Sequence, residues 1–263
     1  MPDFLDLLAQ DAKTTVEEGY YDTNVKFHTG NNSMHNALSK SQNMPIIAEI
    51  KGMSPSRGII SKSYIPENVA IAMANGGAAG ISVLTEPKHF GGSLSNLARA
   101  RQAVNLPILM KDLILSPLQL DVALQLGSNA VLLIQAVFDR GYGELGLTEM
   151  IDEAHSRSLE VLLESHDENE FERSLKSNAD LLGINNRNLG SLTVDLNVTK
   201  RILENVNAKG KIVVSESGIK NADDIKFLRK SGATAFLIGS AIMSADDVES
   251  KMNEFAQIEK LER

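Results

Sequence analysis

Eight times along this chain a short run rich in Ile, Val and Leu gives way to polar or glycine residues, then to a longer segment with helical apolar spacing. The runs lie at Ile46–Ile50, Gly80–Leu84, Pro107–Met110, Ala130–Ile134, Glu160–Leu163, Leu181–Ile184, Ile212–Ser215 and Ala235–Ile238. None shows a clean polar alternation, so each reads as a strand covered on both faces. The helical patterns run over Pro66–Asn75, Ser93–Val104, Pro117–Leu126, Thr148–Arg157, Glu168–Ser177, Leu196–Glu204, Ala222–Lys230 and Asp246–Lys260. Such alternation implies parallel strands joined by right-handed crossovers. Eight units suffice to close the sheet on itself, which removes its edges. The length of 263 residues is close to that of one such barrel, roughly 250 residues. A parallel (β/α)8 TIM barrel is therefore predicted, with an open doubly wound sheet as the rival.

Local punctuation agrees with this reading. Ser116-Pro117 supplies a helix cap followed by proline in the first turn, and Gly127 stands where that helix should stop. Asn221 precedes another helix and Gly232 follows it. The chain before Ile46 departs from the alternation. Asp3–Glu18 has the spacing of an amphipathic helix, with Phe4, Leu7, Leu8 and Val16 on or near one face. Asp22–Gln42 is polar and reads as a long loop or weak helix. Residues 1–45 thus form an amino-terminal helical extension and loop, residues 46–263 the barrel, and the whole is expected to be one structural domain. Covering the barrel's end is the plain role for the extension; closing over a ligand is the sharper one.

Charge and composition narrow the function. The net charge of −8 argues against nucleic acid or an anionic membrane as partner, since either needs an extended basic surface. An anionic small molecule remains open where a few cations converge. Cysteine is absent, which excludes disulfides, thiolate metal sites and a cysteine nucleophile, and a reducing cytoplasm is the natural setting. The first residues include Asp3 and Asp6 and lack a basic region leading into an apolar stretch, and no apolar run is long enough to span a bilayer. A soluble intracellular protein is expected.

Barrel enzymes carry their chemistry where strands run into loops at the carboxyl face. Those positions are polar here. The first strand runs through Glu49 into Lys51, which share one face because side chains alternate along a strand. The third ends in Lys111-Asp112, the fourth in Gln135 and the fifth in Glu164-Ser165. The sixth runs into Asn185-Asn186-Arg187, the seventh into Ser215-Glu216-Ser217-Gly218 and the eighth into Gly239-Ser240. Three cations and the carboxylates Glu49, Glu164 and Glu216 are thus predicted to meet on one rim, the layout of an acid–base site with an anionic ligand. A lysine among other cations and apolar walls is expected to have a lowered pKa. The loops after the seventh and eighth strands, Ser217-Gly218-Ile219 and Gly239-Ser240-Ala241-Ile242, stand where barrels bind phosphate. Glycine there lets backbone N–H groups approach closely, and a helix amino terminus adds a favourable dipole.

In these residues the sequence resembles the indole-3-glycerol-phosphate synthase family across essentially its whole length. The telling segments are Ile46-Ile47-Ala48-Glu49-Ile50-Lys51 with Ser54-Pro55-Ser56, Leu84-Thr85-Glu86 with Phe90-Gly91-Gly92-Ser93-Leu94, and Leu109-Met110-Lys111-Asp112. Gly183-Ile184-Asn185-Asn186-Arg187-Asn188-Leu189, Ser215-Glu216-Ser217-Gly218-Ile219 and Leu237-Ile238-Gly239-Ser240 follow in the same order. The resemblance implies ring closure, decarboxylation and dehydration of 1-(2-carboxyphenylamino)-1-deoxyribulose 5-phosphate, with no metal and no organic cofactor. By the same resemblance Lys111 is the general acid at the ketone oxygen and Glu164 the base in dehydration. Lys51 pairs with the substrate's anionic groups beside Glu49, and Asn185 and Glu216 complete the catalytic set. Ser54, Phe90, Arg187 and Ser217 contact substrate, and Lys51, Gly218, Gly239 and Ser240 hold the phosphate. A monomer is expected, with other tryptophan-pathway enzymes as the partners the resemblance suggests. The sequence departs from the family at Gly52-Met53, where another basic or small residue is common, and at His89, where an aromatic one is; His89 reads as an exposed loop histidine.

Two other readings fit the bare pattern. A Schiff-base aldolase barrel would use Lys111 as nucleophile, and borohydride trapping with a sugar phosphate separates it from the synthase. A non-catalytic phosphate-binding barrel would leave Lys51, Lys111, Glu164 and Glu216 converging without purpose.

Overall fold

In a computed structural model the protein is described over residues 3–23, 25–27, 32–54, 58–59 and 64–258. Eight parallel strands close into a barrel: β1 Ile46–Ile50, β2 Gly80–Leu84, β3 Ile108–Lys111, β4 Ala130–Ile134, β5 Glu160–Ser165, β6 Leu181–Asn185, β7 Val213–Glu216 and β8 Ala235–Ile238. Each strand pairs with its neighbours in sequence, and β1 closes the ring on β8, Ile46 opposite Phe236. The fold class and all eight predicted strands are borne out, with ends shifted by one or two residues at β3, β5, β6 and β7. The punctuation holds as well. Ser116 caps helix Pro117–Gln125 in a capping box with Gln119, Asn221 caps helix Ala222–Lys230, and Gly127 and Gly232 take positive φ after those helices.

The barrel wall explains why the strands read as continuously apolar. On β1, Ile46, Ala48 and Ile50 point outward into a cluster shared with the surrounding helices. Ile47 points inward, to the cluster that also holds Leu109, Ala130, Leu162, Leu181, Val214 and Ala235. Moving two residues at a time toward the carboxyl ends, the same inward rows change chemistry. Ile47 is followed by Glu49, Leu109 by Lys111, Leu162 by Glu164 and Val214 by Glu216. The interior is therefore greasy at its base and ionic at its top, which concentrates charge against apolar walls.

The extension before β1 works at both ends. Helix Phe4–Glu17 buries Leu5, Leu8, Ala9 and Ala12, and Leu5 and Leu8 join the cluster of Leu113, Leu132 and Leu189 near the strands' carboxyl ends. Tyr21 donates to Asp112 Oδ2 at 3.0 Å and Tyr20 to the Thr85 carbonyl at 2.9 Å. The segment read as loop or weak helix contains a helix, Met34–Ser39, capped by Ser33. Met34 is fully buried with its sulfur against Gly80 at the start of β2, so it stops the opposite mouth. A two-residue hairpin, Met53–Ser54 with Gly58–Ile59, also went unpredicted after β1. Its tip, Pro55 to Arg57, and the side chain of Ser54 lie outside the described residues. No helix among the described residues is long and apolar enough to cross a membrane.

Candidate active site

The carboxyl end of the barrel opens into a cavity of about 420 Å³, within the usual range for small-molecule sites. Of the sequence-predicted site residues, Glu49, Lys51, Phe90, Lys111, Glu164, Asn185, Arg187, Ser217, Gly218, Gly239 and Ser240 all line it. Leu8, Leu84, Leu113, Leu132, Leu189 and Leu237 supply apolar wall, the surface an aromatic ring would need.

Two ion-paired groups dominate the floor. Lys111 Nζ lies 2.8 Å from Glu216 Oε2 and 3.5 Å from Glu164 Oε2. Lys51 Nζ lies 2.5 Å from Glu49 Oε1. Asn185 Nδ2 donates to Glu164 Oε1 at 3.0 Å, and Asn185 Oδ1 accepts from the backbone N–H of Arg187 at 2.9 Å. Glu164 is thus held by side chains from β3 and β6, with neighbours on both oxygens. Space for these groups comes from glycine on adjacent strands. A Cβ on Gly183 would sit 2.5 Å from Glu216 Oε1, and one on Gly239 would sit 2.5 Å from Glu49 Oε1 and 2.8 Å from Lys51 Cε. At Gly239 the missing side chain therefore makes room for the Glu49–Lys51 pair, a reason additional to backbone approach.

Glu216 is fully buried behind Lys111 rather than on the cavity wall. One of its oxygens holds the lysine and the other has no partner. Glu216 therefore meets the cavity only through Lys111. The expected lowering of the Lys111 pKa is overturned too. Burial alone would push it down, but Glu216, Glu164 and Glu49 outweigh burial and hold it above the ordinary lysine range. Lys111 is thus held as a charged ammonium.

Burial pushes Glu216 up to about 7; Lys111 pulls against this while Glu164 and Glu49 add to it. Glu164 goes the other way, to about 2, because Lys111, His166 and Asn185 together overcome the cost of burying its charge. Glu164 therefore stands ionised near neutrality, while Glu216 titrates there. The stability consequence has a definite sign. A carboxyl raised from 4.5 to about 7 contributes stability below its unfolded value, and that contribution is lost as pH rises through the folded one. Thermal melts of wild type and Glu216→Gln from about pH 5 to about pH 8 are expected to show wild type losing more stability as pH rises. Parallel curves would remove Glu216 as the titrating group.

Other residues of the rim were missed or misplaced. Asp112 lines the cavity and is buried, accepting from Tyr21, from Thr85 Oγ1 at 2.5 Å and from the Leu113 N–H at 2.8 Å. Glu86 accepts from the N–H groups of Lys88, His89 and Phe90 at 2.9, 2.7 and 2.8 Å, which fixes the loop that presents Phe90. His89 is not the exposed loop residue expected. It is half-buried, 2.7 Å from Asp11 Oδ2 and edge-on to Phe4, so it ties the first helix to that loop. Gln135 begins a short helix, Gln135–Asp139, and bonds Asp139 and Ser174 rather than the cavity.

Ser217 and Gly218 both take positive φ as the chain leaves β7. Ser240 opens the short helix Ser240–Met243 after β8. First-turn N–H groups of a helix have no carbonyl partner within it. Lys220 joins Lys51 and Arg187 among the lining cations.

A family model described as indole-3-glycerol phosphate synthase matches residues 7–255. An indole-3-glycerol phosphate synthase of Lachnospira eligens is 39% identical over 99% of this chain and 97% of its own. Synthases of Methanocaldococcus jannaschii and Neisseria gonorrhoeae are 42% and 43% identical, over 80% and 81% of this chain and 77% and 80% of theirs. Among solved structures, a thiamine phosphate pyrophosphorylase from Pyrococcus furiosus superposes with TM-score 0.60 at 20% identity, over 87% of this chain and 98% of that one. That last likeness is one of fold.

Proposed function

Since the chain belongs to the indole-3-glycerol phosphate synthase family, we propose which of its own residues carry each step of that reaction. The family activity is a decarboxylating lyase step of tryptophan biosynthesis on a small phosphorylated substrate. It closes the aryl ring onto a ketone, releases carbon dioxide and then water, and leaves indole-3-glycerol phosphate. The Schiff-base aldolase alternative is not favoured: the comparisons point to the synthase, and an imine needs a neutral amine, which the carboxylates around Lys111 oppose.

The observation that carries the assignment is Lys111 lying between Glu164 and Glu216 at the floor of an apolar-walled cavity. Ring closure builds charge on the ketone oxygen, and the Lys111 ammonium stabilises it and delivers a proton. A nascent alkoxide is basic enough to take a proton even from a lysine whose pKa is raised. Glu164 then removes the proton from carbon as water leaves, with Asn185 aiming its carboxylate. Lys51, paired with Glu49, meets the substrate's anionic groups. The aryl ring lies against Leu8, Phe90, Leu113, Leu132 and Leu189. Arg187 and Ser217 orient the sugar, while Gly218, Gly239, Ser240 and Lys51 surround the phosphate. Ser54 is retained as a substrate contact from the loop after β1. The extension and barrel act as one domain, in a cytoplasmic monomer that hands its product to other tryptophan-pathway enzymes.

Incubating the protein with 1-(2-carboxyphenylamino)-1-deoxyribulose 5-phosphate and following indole fluorescence tests the activity directly; absence of product overturns it. Gly239→Asp tests the phosphate end. The new carboxylate meets Glu49 and Lys51 and repels phosphate. Losing charge-assisted hydrogen bonds of roughly 1.5–3 kcal/mol corresponds to an affinity loss of about ten- to a hundredfold. Unchanged product affinity by calorimetry moves the phosphate elsewhere.

A further inference from the structure

The reaction sets a proton requirement that the cavity residues alone do not meet. Turning the ketone oxygen into water takes two protons, and the carbon that loses hydrogen returns one. The carboxylate leaves as carbon dioxide and gives up none, so each turnover draws one proton from outside. The groups that must be resupplied lie deep in the barrel: Glu164 is 1% exposed, and the Lys111 side chain reaches only the cavity.

Behind Glu164 a second row of titratable side chains leads outward. His166 lies just past the end of β5, two residues after Glu164. Its Nε2 is 3.2 Å from Glu164 Oε1, close but not aligned as a hydrogen bond. On the other side of the ring, Nδ1 is 3.3 Å from Glu170 Oε2, and the same oxygen accepts from the His166 N–H at 2.7 Å. Glu170 stands in the first turn of helix Glu168–Leu175 with its side chain 13% exposed, and the His166 side chain is 12% exposed. We propose that His166 and Glu170 form the route by which the pair Glu164 and Lys111 takes up its proton from solvent.

The step balances as a proton shift. The imidazolium gives its Nε2 proton to Glu164, Glu164 passes one to the neutral Lys111 amine 3.5 Å away, and the neutral imidazole, once its free nitrogen has turned toward Glu170, regains a single proton from water through that carboxylate. His166 is suited to this because it is charged at neutrality. Burial would lower its pKa, but Glu164 and Glu170 together raise it to about 10. The charged groups facing it are Glu164 from the end of β5 and Glu170 from the following helix, with Lys111 beyond Glu164. His166 acts through Glu164 and so is a positioning and relay residue rather than a catalytic one.

This inference rests on Glu164 being the base, and the test keeps the two apart. His166→Gln and Glu170→Gln are expected to lower kcat by roughly tenfold, below the roughly 10²-fold scale of a direct acid or base, with KM little changed. In both variants kcat should rise with buffer concentration and show a larger solvent deuterium isotope effect than wild type. In His166→Ala, added imidazole should restore part of the loss. Wild-type kcat in Glu170→Gln overturns the route, as does a loss in the His166 variants that neither buffer nor imidazole relieves; packing alone accounts for that. If Glu164→Gln turns over normally, the base assignment fails first. If Glu164→Gln is slow while both relay variants match wild type, only the relay fails.

Discussion

Lys111→Ala is expected to cut turnover by roughly 10²-fold or more, the scale of general acid catalysis, while substrate and product affinity change far less. The asymmetry follows from what the ammonium meets. The neutral ketone oxygen of the bound substrate gains little from it, and the oxygen that becomes charged during ring closure gains most. Lys111 also supplies the charge that keeps Glu164 ionised. Its removal therefore weakens the base as well as deleting the acid, so Lys111→Ala should fall below the product of two independent defects. Steady-state turnover set beside calorimetric affinity measures both sides of the prediction. Wild-type turnover in the variant would place the acid at Lys51 or at a water.

Glu164→Gln should uncouple the later chemistry from the earlier. The amide keeps the shape of the side chain and the partnership with Asn185 but cannot accept a proton. Ring closure and decarboxylation, driven from Lys111, should then outrun dehydration. The variant is expected to bind substrate nearly normally, turn over slowly and accumulate a decarboxylated species heavier than product by one water. Quenched-flow mass spectrometry looks for that mass directly. A purely structural Glu164 predicts lower thermal stability and no such species. Product formed at the wild-type rate would pass the role to Glu49, since Glu216 lies behind Lys111 out of the cavity.

Most of the fold was legible because strand parity and strand count are properties of the sequence itself. Glu49 and Lys51 stand two apart, and that alone places both on the inner face. What parity does not give is depth. Glu216 shares the inward row of Val214, yet whether it reaches the ligand depends on the vacant space at Gly183. The lysine pKa was misread for a related reason: the rim carries cations, but the groups nearest Lys111 are carboxylates. His166 stands just past β5, two beyond Glu164 and four before Glu170, where strand parity no longer holds, so its approach to Glu164 is a matter of the loop's course. The extension resisted for another reason. Its helix Met34–Ser39 has two buried residues, Met34 and Leu38, too few to impose a period on a polar stretch.

The seam between Ile46 and Phe236 has a consequence for how the chain is made. Strand β1 leaves the ribosome early and finds one of its two permanent neighbours, β2, soon after, but the other, β8, is among the last segments to emerge. Until then the sheet is open, with two unpaired edges and an interior surface that attracts other chains. Met34, already synthesised, can seat against Gly80 long before the ring closes and so shield one end of the half-built sheet. The segment that looks like an appendage in the finished molecule is thereby the first piece available to protect it during synthesis.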